Sequence, residues 1–185
     1  MTEFLDVVNE KGLPAGQIVE RAAAHLKGIW HRTSHVWLLR KRNNDVQILL
    51  QKRATGKSFP GCYDISSAGH IPAGEDFVAS ALRELKEELG ISAQADELIC
   101  CGDRKIIWDD VFFGKEYHDR QYTRVFVLWK DLEESEFCLQ QEEVDSVCWM
   151  DLKECIQGVI NNSFLNCIEM EELMMVRNAA MMPRD

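Results

Sequence analysis

The sequence predicts an α/β fold. Three observations carry this: strand-like runs of Val, Ile and aromatic residues stand both before residue 69 and after residue 98, one amphipathic helix separates them, and further amphipathic segments close the chain. With 185 residues the chain can bury one full core and is short for two. The expected division is an N-terminal hairpin extension over residues 1–30, packed on a main domain over residues 31–185.

Phe4-Leu5-Asp6-Val7-Val8, the turn-like Asn9-Glu10-Lys11-Gly12 and then Gln17-Ile18-Val19 predict a β-hairpin. A short helical piece follows over residues 20–27. Residues 35–39 and 46–51 form a second strand pair across the polar turn Arg42-Asn43-Asn44-Asp45. Residues 56–61, with Gly56, Pro60 and Gly61, form a loop, and residues 63–68 a strand that leads toward the central helix. Beyond that helix, residues 98–108 and 122–129 are longer strands joined by an exposed segment containing Gly114 and His118. Residues 144–150 add a short strand. Residues 151–160 and 165–176 are helical, the second acidic on one side and rich in Met.

The central helix rests on spacing: Val78, Ala81, Leu82, Leu85 and Leu89 recur at i, i+3, i+4, i+7 and i+11, one apolar stripe that Gly90 ends. At about 100° per residue, Glu84, Glu87 and Glu88 fall within an arc of roughly 100° beside that stripe. Carboxylates so placed repel by a few tenths of a kcal/mol per exposed pair. A divalent ion reverses that sign, and Mg²⁺ in particular binds one or two carboxylates together with phosphate oxygens. The cluster therefore predicts phosphate chemistry. A solvated helix face with ordinary i,i+4 charge pairs is the alternative, and the loop before the helix, with Gly69, Gly74 and Glu75, decides against it.

Residues 69–91, GHIPAGEDFVASALRELKEELGI, fit G-x5-E-x7-R-E-U-x-E-E-x-G-U at every specified position, with U aliphatic. This resembles the signature of the Nudix hydrolases. The resemblance implies an α/β/α sandwich with a mixed β-sheet, and a metal-dependent hydrolase. Its substrate would be a nucleoside di- or triphosphate or a related small organic diphosphate, cleaved by water attack at phosphorus. It implies Mg²⁺ or Mn²⁺ held by Glu84, Glu87 and Glu88, with Arg83 orienting the cluster, Glu75 supporting the loop, and Glu84 acting as base or ligand. A further acid is implied in a later loop, where Glu143 and Glu142 are best placed and Glu116 is next.

Two more segments, WHRTSHVWLL over residues 30–39 and LLQKRATGKSFPGCYDISSAGHI over residues 49–71, are similar to the isopentenyl-diphosphate isomerase branch. In the isomerases a catalytic cysteine lies two residues before a metal-binding histidine; the matching text is Ala68-Gly69-His70. A methyl group cannot move a proton at carbon, and the isomerases' catalytic glutamate would fall near Gln121, so hydrolysis is preferred and isomerisation is the alternative. The same likeness implies Arg53 and Lys57 as grips on the diphosphate and His70 as a metal ligand or substrate contact. His25 and His31 lie one residue short of two further isomerase metal histidines; His31 and His35 are taken as structural and His118 as solvent-facing.

A net charge of −10 argues against a nucleic-acid partner, whose phosphate backbone calls for a basic patch; a small diphosphate needs only a cation and a few basic side chains. The seven cysteines show no C-x-x-C pair and no zinc spacing, which suits reduced thiols in the cytoplasm. The acidic N-terminus predicts no signal peptide, and no run approaches the roughly 18 apolar residues of a membrane span. Trp30, Trp37, Trp108 and Trp129 lie on or beside predicted strands, and one of them, or Tyr117 or Phe113, would stack a nucleobase. The hairpin and the helix bearing Met170, Met174 and Met175 are the expected surfaces of a possible homodimer.

Overall fold

In the computed structural model, which describes residues 2–112 and 114–182, the N-terminal hairpin pairs β1 (Phe4–Val8) with β2 (Pro14–Glu20). It is tied to the loop ahead of the central helix. Leu5 bridges to Pro72, Ala73 N donates to Phe4 O at 2.8 Å, and Arg32 meets Asp6 at 2.7 Å. A short helix, α1 (Arg21–Lys27), follows and ends at Gly28, whose φ of 61° suits glycine.

The main sheet is built around β3 (His31–Arg42). One edge of β3 pairs in parallel with β8 (Lys115–Trp129). Its other edge is shared: Leu39 to Arg42 pair with β4 (Asp45–Arg53), while Thr33 to Val36 pair with β6 (Ser67–His70), both antiparallel. The near edge of β4 takes β5 (Tyr63–Asp64), its far edge β9 (Val144–Asp151), and β7 (Ile99–Phe112) lies antiparallel outside β8. Strands β3 and β4 thus diverge past Leu39 and Ile48, and β5 and β6 fill the opening. Ser66, fully buried, bridges the gap: its Oγ accepts from Leu38 N at 2.8 Å and donates to Leu49 O at 2.6 Å.

Alternation along β3 assigns the two faces. Trp37 and Leu39 pack with Leu152 and Cys155 of α3 (Leu152–Asn161) and Leu173 and Val176 of α4 (Met170–Ala180). Val36 and Leu38 pack with Ala81, Leu85 and Leu89 of α2 (Phe77–Leu89). The result is the α/β/α sandwich with a mixed sheet. Asp76 caps α2, accepting from Ala79 N at 2.8 Å, and Gly90 ends it at φ 72°.

Several elements differ from the sequence expectation. The single strand over residues 63–68 is two pieces on different partners. The segment around His118 belongs to a long β7–β8 hairpin, β3 begins four residues earlier at His31, and the last helix begins at Met170. All seven cysteines are free thiols. No helix among the described residues is long and apolar enough to cross a membrane.

Candidate active site

The divergence of β3 and β4 brings β6 against α2, and that junction assembles the charged residues. Gly69 on β6 lies so close to Glu84 that an added Cβ would stand 2.1 Å from its Cδ. Gly74, at φ 84°, turns the chain into the helix. Arg83 then bridges the acids: its Nη1 reaches Glu84 Oε1 at 2.8 Å and Glu87 Oε2 at 3.1 Å, and its Nη2 donates to the His70 carbonyl at 3.1 Å. Glu75 accepts from Ser80 Oγ at 3.0 Å and stands 3.7 Å from Arg83 Nε. These contacts fix loop and helix to one another.

The three helix carboxylates occupy different surroundings. Glu87 is exposed, whereas Glu88 is buried and accepts from Ala68 N at 3.1 Å. Burial pushes Glu88 up to about 8, and burial also raises Glu84. Burial disfavours the charged form of both carboxylates, a cost that a cation beside them offsets, and an all-oxygen set of this kind fits a hard divalent ion. Glu143 forms an ion pair with Lys57, and its carbonyl accepts from Ala54 N at 3.1 Å. The charge of Lys57 partly offsets the cost of burying Glu88. Arg53 is held by Asp64 at 2.7 Å and by Ser58, whose carbonyl and hydroxyl accept at 2.6 and 2.9 Å. It shapes the loop that carries Lys57.

Beside this junction lies a cleft of about 1550 Å³. Arg53, Lys57, Gly69 and His70 line it, and Glu84, Glu87 and Glu88 sit behind Gly69 and off its wall.

A second polar centre opens into the same cleft. His25 from α1, His31 from β3 and His70 from β6 are all buried, with ligand atoms within 4.8 Å of one another. His25 Nε2 and His70 Nε2 are 3.0 Å apart. Asp119 of β8 joins them, its Oδ1 3.5 Å from His25 Nδ1 and 3.8 Å from His31 Nε2. Those three atoms are buried without a hydrogen-bond partner among the described residues, a costly state for polar groups that a bound cation would relieve. Desolvation lowers His25 to about 3 and raises Asp119 to about 6, and it depresses His31 and His70 as well. His31 Nδ1 faces the Ile29 carbonyl at 2.8 Å, which turns Nε2 inward as an electron-pair donor.

His31, read as structural from the sequence, stands in this buried group with its Nε2 unpartnered among the described residues. His35 has a structural role: its Nδ1 lies 3.0 Å from Glu172, which also accepts from Trp37 Nε1 at 2.7 Å and Arg104 Nη1 at 2.9 Å. His118, expected to face solvent, contacts Asp109 at 2.7 Å. Gln121 stands where a carboxylate was sought, and the carboxylate is two residues earlier, Asp119, held by Gln121 Nε2 at 2.8 Å. The parallel register of His31 with Gln121 is the signal that locates it. Phe113, a stacking candidate from the sequence, lies outside the described residues.

A family model for the Nudix domain matches residues 30–163. Over 171 residues the chain is 34% identical to an uncharacterized Nudix hydrolase of Clostridium acetobutylicum, covering 88% of this chain and 80% of that one. Among solved structures, the Deinococcus radiodurans protein DR0079 matches with a TM-score of 0.66 at 19% identity, covering 95% of this chain and 98% of that one. The Nudix domain of Shewanella oneidensis NrtR, solved with ADP ribose, matches at 0.60 and 16%, covering 81% and 88%. At such identities these two speak for the fold. Nudix enzymes act on nucleoside diphosphate derivatives and generally need a divalent metal. With the domain matched across most of its length and the motif complete from Gly69 to Ile91, this chain belongs to the Nudix hydrolase family.

Proposed function

We propose that the protein cleaves a diphosphate linkage in a nucleoside di- or triphosphate or related small diphosphate, by water attack at phosphorus, with Mg²⁺ or Mn²⁺ at Glu84, Glu87 and Glu88. The single observation that supports this best is the packing of Glu84 against Gly69 with Glu88 buried behind Ala68. It keeps desolvated carboxylates behind Gly69, beside a cleft lined by Lys57 and His70. When bound, the ion supplies charge to offset the negative charge that builds up on the phosphate oxygens.

The chain's own residues do the rest. Arg83 restrains Glu84 and Glu87, Glu75 braces Arg83, and Arg53 holds the loop from which Lys57 faces the cleft. In this reading Glu143, ion-paired with Lys57, takes the proton of the attacking water. His25, His31, His70 and Asp119 form a nitrogen-rich set suited to a transition-metal ion rather than Mg²⁺.

The three histidines of this set are the positions that the isomerase-like side of the sequence resemblance pointed to. Isomerisation still lacks its proton carriers, since Ala68 offers a methyl group and Gln121 is an amide already engaged with Thr33 and Asp119. Residues 1–30 serve in this reading as an extension on the hydrolase domain of residues 31–185. Leu13 and Ile18, 58% and 63% exposed, make the hairpin the surface on which a homodimer would form. The test is phosphate release from a panel of diphosphates in Mg²⁺ and Mn²⁺. Wild-type turnover lost in Glu87→Gln and Glu88→Gln supports the reading; unchanged turnover in both variants removes the metal site.

A further inference from the structure

We propose that Asp6, on the N-terminal hairpin, is a positioning residue for the metal site. It fixes the backbone of the loop that leads into α2 and, through Glu75 and Arg83, the set of Glu84, Glu87 and Glu88. This rests on the hydrolase reading above and deepens it.

The loop ahead of α2 does not satisfy its own backbone. Pro72 carries no N–H, and of the other amides from Ile71 to Glu75 only Glu75 N closes a turn within the loop, on Pro72 O at 3.0 Å. Ile71 N donates to Arg32 O at 3.1 Å. The remaining two reach the hairpin: Ala73 N donates to Phe4 O at 2.8 Å and Gly74 N to Asp6 Oδ2 at 3.0 Å. Both acceptors lie ahead of residue 30, where the matched Nudix domain begins. Gly74 supplies direction here and not room. Among the described residues nothing beyond its chain neighbours comes within 4 Å of where a Cβ would stand, and its φ of 84° is a conformation that suits glycine.

Asp6 holds the loop by a second route. Its Oδ2 also accepts from Arg32 Nη2 at 2.7 Å, and the same Nη2 donates to the Glu75 carbonyl at 3.0 Å, so the pair grips Gly74 by its N–H and Glu75 by its C=O. Charge-assisted bonds of this kind are roughly twice as strong as neutral ones. With side chains 22% and 12% exposed, Asp6 and Arg32 are largely sheltered from water. The Glu75 carboxylate carries the restraint inward: it accepts from the fully buried Ser80 and stands 3.7 Å from Arg83 Nε, whose Nη1 spans Glu84 and Glu87. A shift of the loop therefore reaches the acids.

The hairpin is a firm mount for this carboxylate. Leu5 beside it is fully buried and bridges to Pro72, and Val8 N donates to Trp30 O at 2.9 Å. Between Asp6 and Val8 the register of β1 against β2 shifts, and irregularities of this kind re-aim side chains beside active sites. At the far end of the hairpin, Gly12 packs on Tyr122, where an added Cβ would lie 2.5 Å from the ring. That end does not touch the loop ahead of α2, so the two ends can be perturbed separately.

The experiment compares full-length wild type, Asp6→Ala, Asp6→Asn and Gly12→Ala. Mn²⁺ affinity at the site that Glu88→Gln empties is read by electron paramagnetic resonance, stability by urea unfolding, and kcat and KM on a panel of diphosphates. Asp6→Ala should bind Mn²⁺ roughly tenfold or more weakly, the scale for groups that orient metal ligands, and its kcat should fall with KM nearly unchanged. Asp6→Asn keeps an oxygen for the Gly74 N–H and should retain most of both. Gly12→Ala, strained at φ 72° and crowded by Tyr122, should lose stability yet keep its Mn²⁺ affinity. Wild-type Mn²⁺ affinity in Asp6→Ala, no rescue by Asp6→Asn, or an equal loss of affinity in Gly12→Ala would overturn the proposal. Weakened Mn²⁺ binding in Asp6→Ala, with no diphosphate cleaved by the wild type, removes the hydrolase reading and leaves the positioning standing. Wild-type cleavage that Asp6→Ala matches in kcat and Mn²⁺ affinity removes the positioning alone, and a wild type without Mn²⁺ at this site removes both.

Discussion

Replacing Gly69 with alanine tests whether the closeness of β6 and α2 serves catalysis. The new methyl group would stand 2.1 Å from Glu84 Cδ and Oε1 and 2.3 Å from Cγ, where ordinary contact begins at 3.4 Å. Glu84 must then shift by more than an ångström, which disturbs its contact with Arg83. Overpacking of this sort costs about 1–3 kcal/mol of stability, and a displacement of a catalytic group by about 1 Å costs on the order of a hundredfold in rate. The assay pairs urea unfolding with steady-state turnover on the best diphosphate substrate. The expected result is a folded, modestly destabilised protein whose kcat falls far more than its KM changes. A variant that is destabilised as expected yet turns over like the wild type would refute the placement of Glu84 at the reacting centre.

Glu172 should be a pH-dependent brace for α4. Burial alone would raise its pKa, but the charge and hydrogen bond of His35, with Trp37 and Arg104, outweigh burial and bring it from 4.5 to about 2. A depressed carboxylate stabilises fully above its unfolded value, so about 3 kcal/mol present above pH 4.5 should fade as pH falls toward 2. Glu172→Gln should cost about 3–5 kcal/mol in urea unfolding at pH 7, and its gap from the wild type should narrow at pH 3. The histidine centre should bind Co²⁺ with visible absorption bands that His31→Ala and His70→Ala abolish and Glu87→Gln retains; identical spectra in all variants would place the ion elsewhere. Arg83→Lys cannot span Glu84, Glu87 and the His70 carbonyl at once. Its Mn²⁺ affinity, followed by electron paramagnetic resonance, should weaken while folding is kept.

The sandwich was legible where one face of an element is buried and the other is wet. Val78 to Leu89 show the helical period because α2 lies on the sheet, and the glutamates beside that stripe are the ones the structure gathers around Arg83. The opening between β3 and β4 was not legible, because the hydrogen bonds that Ser66 makes across it join residues far apart in sequence. Nor was the length of β7–β8. The β8 side of its outer half, Lys115 to Gln121, is mostly charged and polar and pairs across the strands as Arg120 does with Asp109, so it resembles a polar loop. The histidine centre was legible only in part, as the spacing of His25 and His31 relative to His70: His31 begins β3 four residues ahead of the apolar run, and Asp119 meets it only through the parallel pairing of β3 and β8. The C-terminal helix begins late because residues 165–169 run as irregular chain beside β5, with Tyr63 bonded to Leu165 and Cys167.

The most direct measurement is turnover in water enriched in ¹⁸O, with the products of a cleaved diphosphate analysed by mass spectrometry for wild type and Glu88→Gln. Hydrolysis at phosphorus places one label on a phosphate product, and that labelled product should vanish when Glu88 is neutralised. Label on carbon, or labelled phosphate formed equally well by Glu88→Gln, would contradict it.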